Sequence, residues 1–185
     1  MKTTVVLPFL LALSMHARAV DAPDAAGAQP LRTIAALDLP RYMGTWYEIA
    51  KFPNRFQKKC AGAATATYSA MADGTVQVVN RCRSGDGHTI EAVGAARQVG
   101  NASSPRLKVR FAPAILSFLP MVWGDYWVID LDPAYQLAAV SEGTRTYLWI
   151  LARTPTIDQG RYDALVARLA AQGLDVSKLV QTRQQ

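Results

Sequence analysis

Few residues of this 185-residue chain could carry out bond-breaking chemistry. Of its two histidines, His16 lies in an N-terminal segment that we expect to be removed, which leaves only His88. One histidine is too few for a histidine-based triad or a histidine-cluster metal site. Asp130 and Asp132 stand close together, but we expect them at a turn between strands, where they cap the turn. We therefore predict no catalytic residue, no metal site and no cofactor.

Cys60 and Cys82 are the other reactive side chains. Residues 1–19 are typical of a secretory signal peptide, with the charged Lys2, a short apolar run and Ala-Arg-Ala at 17–19. Because an exported chain meets an oxidising compartment, we predict a Cys60–Cys82 disulfide. No cysteine stands at the cleavage site to carry a lipid anchor, so we expect a periplasmic or secreted protein. Peripheral association with the outer membrane stays open.

The bulk composition restricts the partners. Loss of Lys2 and Arg18 with the signal lowers the formal charge from +6 to +4, which fits an ordinary surface or a weak attraction to anionic membranes. Aromatic residues are not interleaved with basic clusters, so we do not expect nucleic acid as a partner. We predict that residues 20–36 form a flexible leader and residues 37–185 a single domain.

From Gly44 onward, short segments with alternating polar and apolar residues are separated by turn signals, which predicts antiparallel strands. We predict eight strands, at residues 45–52, 61–70, 75–83, 90–99, 107–112, 125–130, 135–141 and 146–153. Thr156 is the predicted N-cap and Gly173 the C′ residue of a helix over 157–172. The predicted fold class is all-β, an eight-stranded antiparallel up-and-down barrel with one C-terminal α-helix packed outside.

Several segments carry a family resemblance. They are Gly44-Thr45-Trp46-Tyr47-Glu48-Ile49-Ala50, then Tyr126 to Asp132, then Tyr147 to Ile157, and finally Asp175 to Leu179. These segments resemble the lipocalins, and among them the bacterial outer-membrane lipocalins, which are related to apolipoprotein D and the plant temperature-induced lipocalins. The resemblance implies a calyx that binds fatty acids or lysophospholipids and serves membrane maintenance.

Strand direction predicts the closed end of this calyx. If the first strand starts at the base, the eighth must end there, because successive strands alternate in direction. Trp46 and Arg153 then meet, with the guanidinium on the indole face, and Gly44 lets the chain turn tightly into the first strand. We predict that these three residues close the barrel. The alternative is a core tryptophan and an unrelated surface arginine.

Side-chain alternation, with its phase set by the resemblance, predicts which residues face the cavity. The candidate ligand-binding residues are Glu48, Ala66, Tyr68, Val78, Asn80, Gly94, Val109, Phe111, Tyr126, Val128, Leu137, Ala139 and Trp149. The same alternation predicts that Ala50, Phe52 and Ala92 point inward and that Arg106, Lys108 and Arg110 point outward. The inward polar groups either orient a ligand's head group or satisfy one another.

The connection formed by residues 113–123 is unusually apolar for a loop and falls at the mouth by the strand count. It could cover the entrance, dip into a membrane, form a homodimer contact, or fold over the upper core. The leading hypothesis for the protein is binding, storage or transport of a fatty acid or lysophospholipid in the cell envelope. The alternatives are an enzyme acting on a hydrophobic substrate inside the calyx and a structural protein that docks on a membrane or partner.

Overall fold

The computed structural model describes residues 29–184, so the predicted signal peptide and the first part of the predicted leader lie outside the described residues. In chain order the elements are α1 (Leu39–Tyr42), β1 (Gly44–Lys51), β2 (Cys60–Ala70), β3 (Val76–Ser84), β4 (Thr89–Gln98), β5 (Arg106–Arg110), β6 (Gly124–Leu131), β7 (Leu137–Ser141), β8 (Leu148–Ala152), α2 (Gln159–Ala171) and β9 (Val180–Gln181). Each of the first eight strands begins and ends within two residues of its predicted bounds.

The strands form one closed antiparallel barrel. Each strand from β1 to β8 pairs with the next along the chain, and β1 also pairs with β8, which closes the ring. The predicted eight-stranded up-and-down barrel is confirmed, as is the helix α2 packed outside it. Because directions alternate, the start of β1 and the end of β8 lie at one end, and the connections before β2, β4, β6 and β8 form the mouth.

The helix α2 begins two residues later than predicted. Its N-cap is Asp158 rather than Thr156, because the Asp158 carboxylate accepts a hydrogen bond from the Arg161 backbone N–H at 3.0 Å. Gly173 follows the helix with a φ of +78°, as expected for a C′ residue. Leu165 and Leu169 are fully buried and face the barrel wall.

The position of α2 corrects the predicted facing of β7. All five residues of β7 are buried, because one face lines the barrel interior and the other lies under the helix. Ala138 and Val140 belong to the interior core, whereas Leu137 and Ala139 belong to the outer core shared with the helix. The prediction that Leu137 and Ala139 line the cavity is therefore wrong. A strand buried on both faces has no polar alternation to fix its phase.

A β-bulge in β1 produces a second correction. The register of β1 against β8 shifts between Glu48 and Ala50, so the strand contains one extra residue at Ile49. Glu48 still faces the interior, but Ala50 and Phe52 join the outer core instead of the predicted inner wall. Lys51 lies opposite Trp149 and therefore faces inward, whereas strict alternation would point it outward.

The described part of the predicted leader is held against the barrel. Leu31 is buried in the outer core. The Ile34 backbone N–H donates to the Val128 carbonyl at 3.1 Å, and that of Leu37 donates to the Ser103 carbonyl at 2.8 Å. Residues 29–36 are thus part of the folded domain, contrary to the expectation of a flexible leader there.

Trp46 and Arg153 meet at the closed end. The Trp46 side chain is fully buried, and the Arg153 guanidinium carbon lies 3.9 Å from the centre of its ring. Each guanidinium nitrogen donates to a backbone carbonyl, and the three acceptors are Arg41, Thr45 and Tyr135. Burial lowers the pKa of Arg153, but the group stays cationic at neutral pH. The three carbonyls tie the entry of β1 to the turn after β6.

Gly44 leaves room for this contact. Its φ is +93°, in the left-handed region that side chains disfavour, and a Cβ there would lie 3.3 Å from Arg153 Nη1. A larger residue at position 44 would strain the backbone and press against the guanidinium. The turn into β1 and the arginine contact therefore depend on the same missing side chain.

Replacing Trp46 with alanine tests the closed end. We expect Trp46→Ala to lower the free energy of unfolding by about 3–5 kcal/mol, because a fully buried aromatic side chain leaves a cavity. Denaturant unfolding followed by circular dichroism measures the change. Trp123→Ala is the control, since Trp123 is half-buried and stacks on Arg97 and Arg110 at the base of a loop, and should cost about 1–2 kcal/mol. Equal losses in the two variants would contradict the role assigned to Trp46.

Candidate functional site

The barrel interior is packed at its floor and open at its mouth. Along the inward positions of β4, Ala96 is buried, Gly94 is half-buried and Ala92 is exposed. The floor is formed by the inner core, in which Trp46 and Val128 have no exposed surface. A ligand that enters from the mouth would therefore meet a cup whose lower end is filled by side chains.

Most of the predicted cavity residues do face this cup. Tyr68, Val78, Ala66, Val109, Tyr126 and Val128 pack in or against the inner core. Asn80 lies opposite Ala66 and Ala92, which places it on the same inward face. A Cβ on Gly94 would lie 2.7 Å from Phe111 Cδ1, so the Phe111 ring lies where a side chain at position 94 would point. Leu137 and Ala139, as described above, lie outside the cup.

Three tyrosine hydroxyls meet near the floor. The Tyr126 hydroxyl is 2.9 Å from that of Tyr42 and 2.9 Å from that of Tyr68. Burial raises the pKa of Tyr68 to about 12 and the pKa values of Tyr42 and Tyr126 well above their usual value, so all three remain protonated. The three hydroxyl groups form two hydrogen bonds with one another, so one of the three O–H donors stays available. Strand alternation could not find Tyr42, because it lies in helix α1.

The Glu48 carboxylate is the centre of a polar cluster on the mouth side. Lys51 Nζ donates to Glu48 Oε1 at 2.8 Å, and Thr182 Oγ1 donates to the same oxygen at 2.6 Å. Gln57 Nε2 donates to Glu48 Oε2 at 2.5 Å. Both carboxylate oxygens are therefore occupied. Of the two alternatives for Glu48, internal satisfaction fits these contacts better than orientation of a ligand.

Gln57 extends this cluster to the neighbouring strand β8. Its Oε1 accepts a hydrogen bond from Trp149 Nε1 at 3.0 Å and another from Asn54 Nδ2 at 2.8 Å. The loop between β1 and β2 is thereby fixed to both β1 and β8. Sequence analysis missed Lys51, Gln57 and Thr182, because the bulge, the loop conformation and the path of the C-terminus leave no periodic signal.

The C-terminal segment closes the seam between β1 and β2. These two strands pair only near the closed end, between residues 44–47 and 65–68. Towards the mouth, β9 pairs with β1, and the Arg183 carbonyl accepts from the Ala63 backbone N–H at 2.7 Å. Gln184 Nε2 donates to the carbonyls of Glu48 and Ala64, one on each strand. The chain end thus completes the upper wall.

Aromatic side chains line the cup beside this cluster. The rings of Tyr147 and Trp149 are stacked with centres 5.8 Å apart, and Phe56 approaches Tyr147 at 5.5 Å. Phe56 is exposed at the mouth, whereas Tyr147 and Trp149 are half-buried. They form a continuous apolar surface from the rim into the cup.

The predicted disulfide between Cys60 and Cys82 is confirmed, with Cα atoms 5.6 Å apart. Cys60 opens β2, and Cys82 lies near the end of β3, so the bond fixes two strand ends at the mouth.

The connection between β5 and β6 projects from the mouth. It contains two short helical turns, Ala114–Leu116 and Pro120–Val122, and exposes Ile115, Phe118 and Met121 at 80%, 75% and 85%. These exposures exclude the alternative in which the three side chains fold over the upper core. At the base of this loop, the Trp123 ring lies 4.4 Å from the Arg97 guanidinium carbon and 5.2 Å from that of Arg110.

Among residues 29–184, no group of three or more His, Cys, Asp or Glu side chains could hold a metal ion. The same range contains no helix long and apolar enough to cross a bilayer.

Comparison with known proteins adds to this geometry. The family model described as a lipocalin-like domain matches residues 37–184. Temperature-induced lipocalin-1 of Arabidopsis thaliana is 40% identical over 155 residues, covering 83% of each chain. The outer membrane lipoprotein Blc of Escherichia coli K12 is 40% identical over 148 residues, covering 80% of this chain and 79% of its own. Mouse apolipoprotein D is 30% identical over 155 residues, covering 80% and 77%.

Solved structures agree on the fold. Insecticyanin of the tobacco hornworm Manduca sexta superposes with a TM-score of 0.63 at 17% identity, covering 82% of this chain and 83% of its own. Lobster apocrustacyanin A1 superposes with a TM-score of 0.61 at 14% identity, covering 80% of each chain. The closed barrel with its outer helix, the matched family model and the extent of these sequence similarities show that this chain belongs to the lipocalin family.

Proposed function

We propose that this lipocalin binds and carries a fatty acid or a lysophospholipid in the cell envelope, in support of membrane maintenance. Its family is one of binding proteins for small hydrophobic molecules, and a relative from Escherichia coli is named as an outer membrane lipoprotein. The observation that carries the proposal is the cup itself, which is closed at one end, open at the other and lined near the mouth by stacked aromatic rings. We place the protein in the periplasm or outside the cell.

The open mouth and the apolar, filled floor favour an acyl chain with its polar end at the mouth. Burial of ten methylene groups contributes about 8 kcal/mol at about 0.8 kcal/mol each. Association costs about 4–15 kcal/mol, so the chain alone gives weak binding. Contacts to the head group then decide the affinity. The free polar groups of the cup, among them the Asn80 amide, are where such contacts belong.

A bulky residue inside the cup should block the ligand. We expect Ala92→Trp to lower the affinity for palmitate by at least about tenfold, because Ala92 faces the open part of the cup. The neighbouring Val93 points outward and is 52% exposed, so Val93→Trp is the matched control and should change affinity by less than about twofold. Titration of delipidated protein with a displaceable fluorescent fatty acid measures both. Equal affinity in the two folded variants would show that the lipid does not bind in the cup.

We further propose that the mouth docks on an anionic membrane through residues 113–123. The exposed side chains Ile115, Phe118 and Met121 provide apolar groups that could enter a bilayer. The loop between β1 and β2, also at the mouth, exposes Phe56 and holds Arg55, Lys58 and Lys59 with no acidic residue. Exposed apolar tips beside cations are suited to a surface with anionic head groups. Such docking would place the cup opening at the lipid source.

Charge substitution at the loop tip tests the docking. We expect Phe118→Asp with Met121→Asp to reduce co-flotation with phosphatidylglycerol vesicles by more than about tenfold, because two apolar contacts of about 1.5–3 kcal/mol each are lost. Met71→Asp with Val99→Asp is the matched control, since both residues are exposed apolar side chains outside the mouth loops. Unchanged flotation would contradict the proposal. A loop variant that instead converts a dimer to a monomer in sedimentation would assign the loop to a homodimer contact.

A further inference from the structure

We infer that Lys51 is the residue that receives the acidic head group of the bound lipid. This inference rests on the proposed carriage of a single-chain lipid and specifies the ligand chemistry as anionic, either a carboxylate or a phosphate. Glu48, the inward charged residue that alternation predicts, instead holds the lysine in place.

The bulge at Ile49 brings the ammonium group to the cup. Lys51 lies opposite Trp149, an inward residue, and its Nζ reaches the buried Glu48 carboxylate at 2.8 Å. The Lys51 side chain is 14% exposed, which leaves it accessible from the mouth, whereas that of Glu48 is only 5% exposed. The Lys51 ammonium thus lies closer to the opening than the Glu48 carboxylate, which is almost fully buried.

Hydrogen-bond capacity separates the polar groups of this cluster. The Glu48 carboxylate accepts from Lys51, Thr182 and Gln57. The Gln57 side-chain oxygen accepts from Trp149 and Asn54. An ammonium has three donors, and Glu48 is the acceptor that the described residues provide for Lys51. Lys51 therefore keeps two N–H donors for a ligand and is the cationic donor of this cluster, whereas the Gln57 amide keeps one neutral N–H.

The surroundings of Lys51 favour an anion joined to an acyl chain. The adjoining loop carries Arg55, Lys58 and Lys59 and no acidic residue, so its charge attracts a negative head group. The stacked rings of Tyr147 and Trp149 lie beside Lys51 and towards the mouth from it, because Trp149 is opposite Lys51. The inner core, which includes Tyr68 and Val78, provides the apolar surface for the chain below the head. Together they match an acid with one hydrocarbon tail. A neutral lipid gains nothing from the ammonium.

The test compares three lipids that share one chain length. Palmitate carries a carboxylate, palmitoyl lysophosphatidate a phosphate and hexadecanol an uncharged hydroxyl. We expect the delipidated full chain to bind the two anions about 10–100 times more tightly than hexadecanol, the range of a charge-assisted hydrogen bond. Lys51→Met should remove this preference and leave hexadecanol binding within about threefold. The two anions together show which head-group source the site prefers.

Two further variants separate Lys51 from its partner. Glu48→Gln frees the ammonium from its carboxylate, so palmitate should bind more tightly, by about threefold or more. If Glu48 were itself the contact for the ligand, the same change would weaken binding. Lys51→Met with Glu48→Gln leaves no unpaired buried carboxylate, and it should show the same lost preference as Lys51→Met.

Lys58→Met is the matched control, because it removes an exposed mouth cation outside the cup and should keep the preference for anions within about threefold. Equal binding of palmitate and hexadecanol to the unaltered chain overturns the inference and leaves the carrier function standing. A parallel loss of all three lipids in the folded double variant also overturns it. Failure of the unaltered chain to bind any of them overturns the proposed function itself.

Discussion

Closure of the barrel through β1 is the constraint on which the other features depend. This strand pairs with β2 near the closed end, with β8 along its upper part and with β9 at the mouth. It must also present one face to the interior and the other to the outer core under α2. The bulge at Ile49 meets both requirements, because it adds one residue and exchanges the faces above it. Ala50 and Phe52 then pack under the helix, and Lys51 enters the cup.

The two ends of the barrel are each organised around one charged side chain. At the base, Arg153 donates to three backbone carbonyls and covers Trp46. At the mouth, Glu48 accepts from a loop, its own strand and the C-terminal segment. Both residues hold separate parts of the chain together. Each stabilises the fold through these contacts.

The elements that the sequence predicted correctly share a strong local signal. Strands β3 to β5 have one face in water or near it, and alternation with its phase set by the family resemblance placed Asn80, Gly94 and Val109 correctly on the inward face. Strand direction alone brought Trp46 to Arg153. The predicted export to an oxidising compartment indicated the disulfide.

The errors arise where a tertiary contact overrides that signal. Leu137 and Ala139 were misplaced because the helix buries the outer face of β7, which makes both faces apolar. Lys51 was missed because a bulge depends on pairing geometry between distant strands. Tyr42 was missed because it enters the cup from a helix. Alternation cannot detect any of these, since each depends on residues far away in the chain.

The arrangement of polar groups divides the interior by depth. The floor holds phenolic hydroxyls whose raised pKa values keep them uncharged, so it offers hydrogen bonds without charge. The charged groups of the cup stand nearer the mouth, where the buried Glu48 carboxylate is paired with Lys51 and the Lys51 side chain stays partly exposed to water. A ligand with a charged head and an apolar tail fits this gradient in one orientation, with its head at the opening. The same end carries the exposed apolar loop and the basic loop beside β1. Stability is therefore concentrated at the closed end, and recognition of lipid and membrane at the open one.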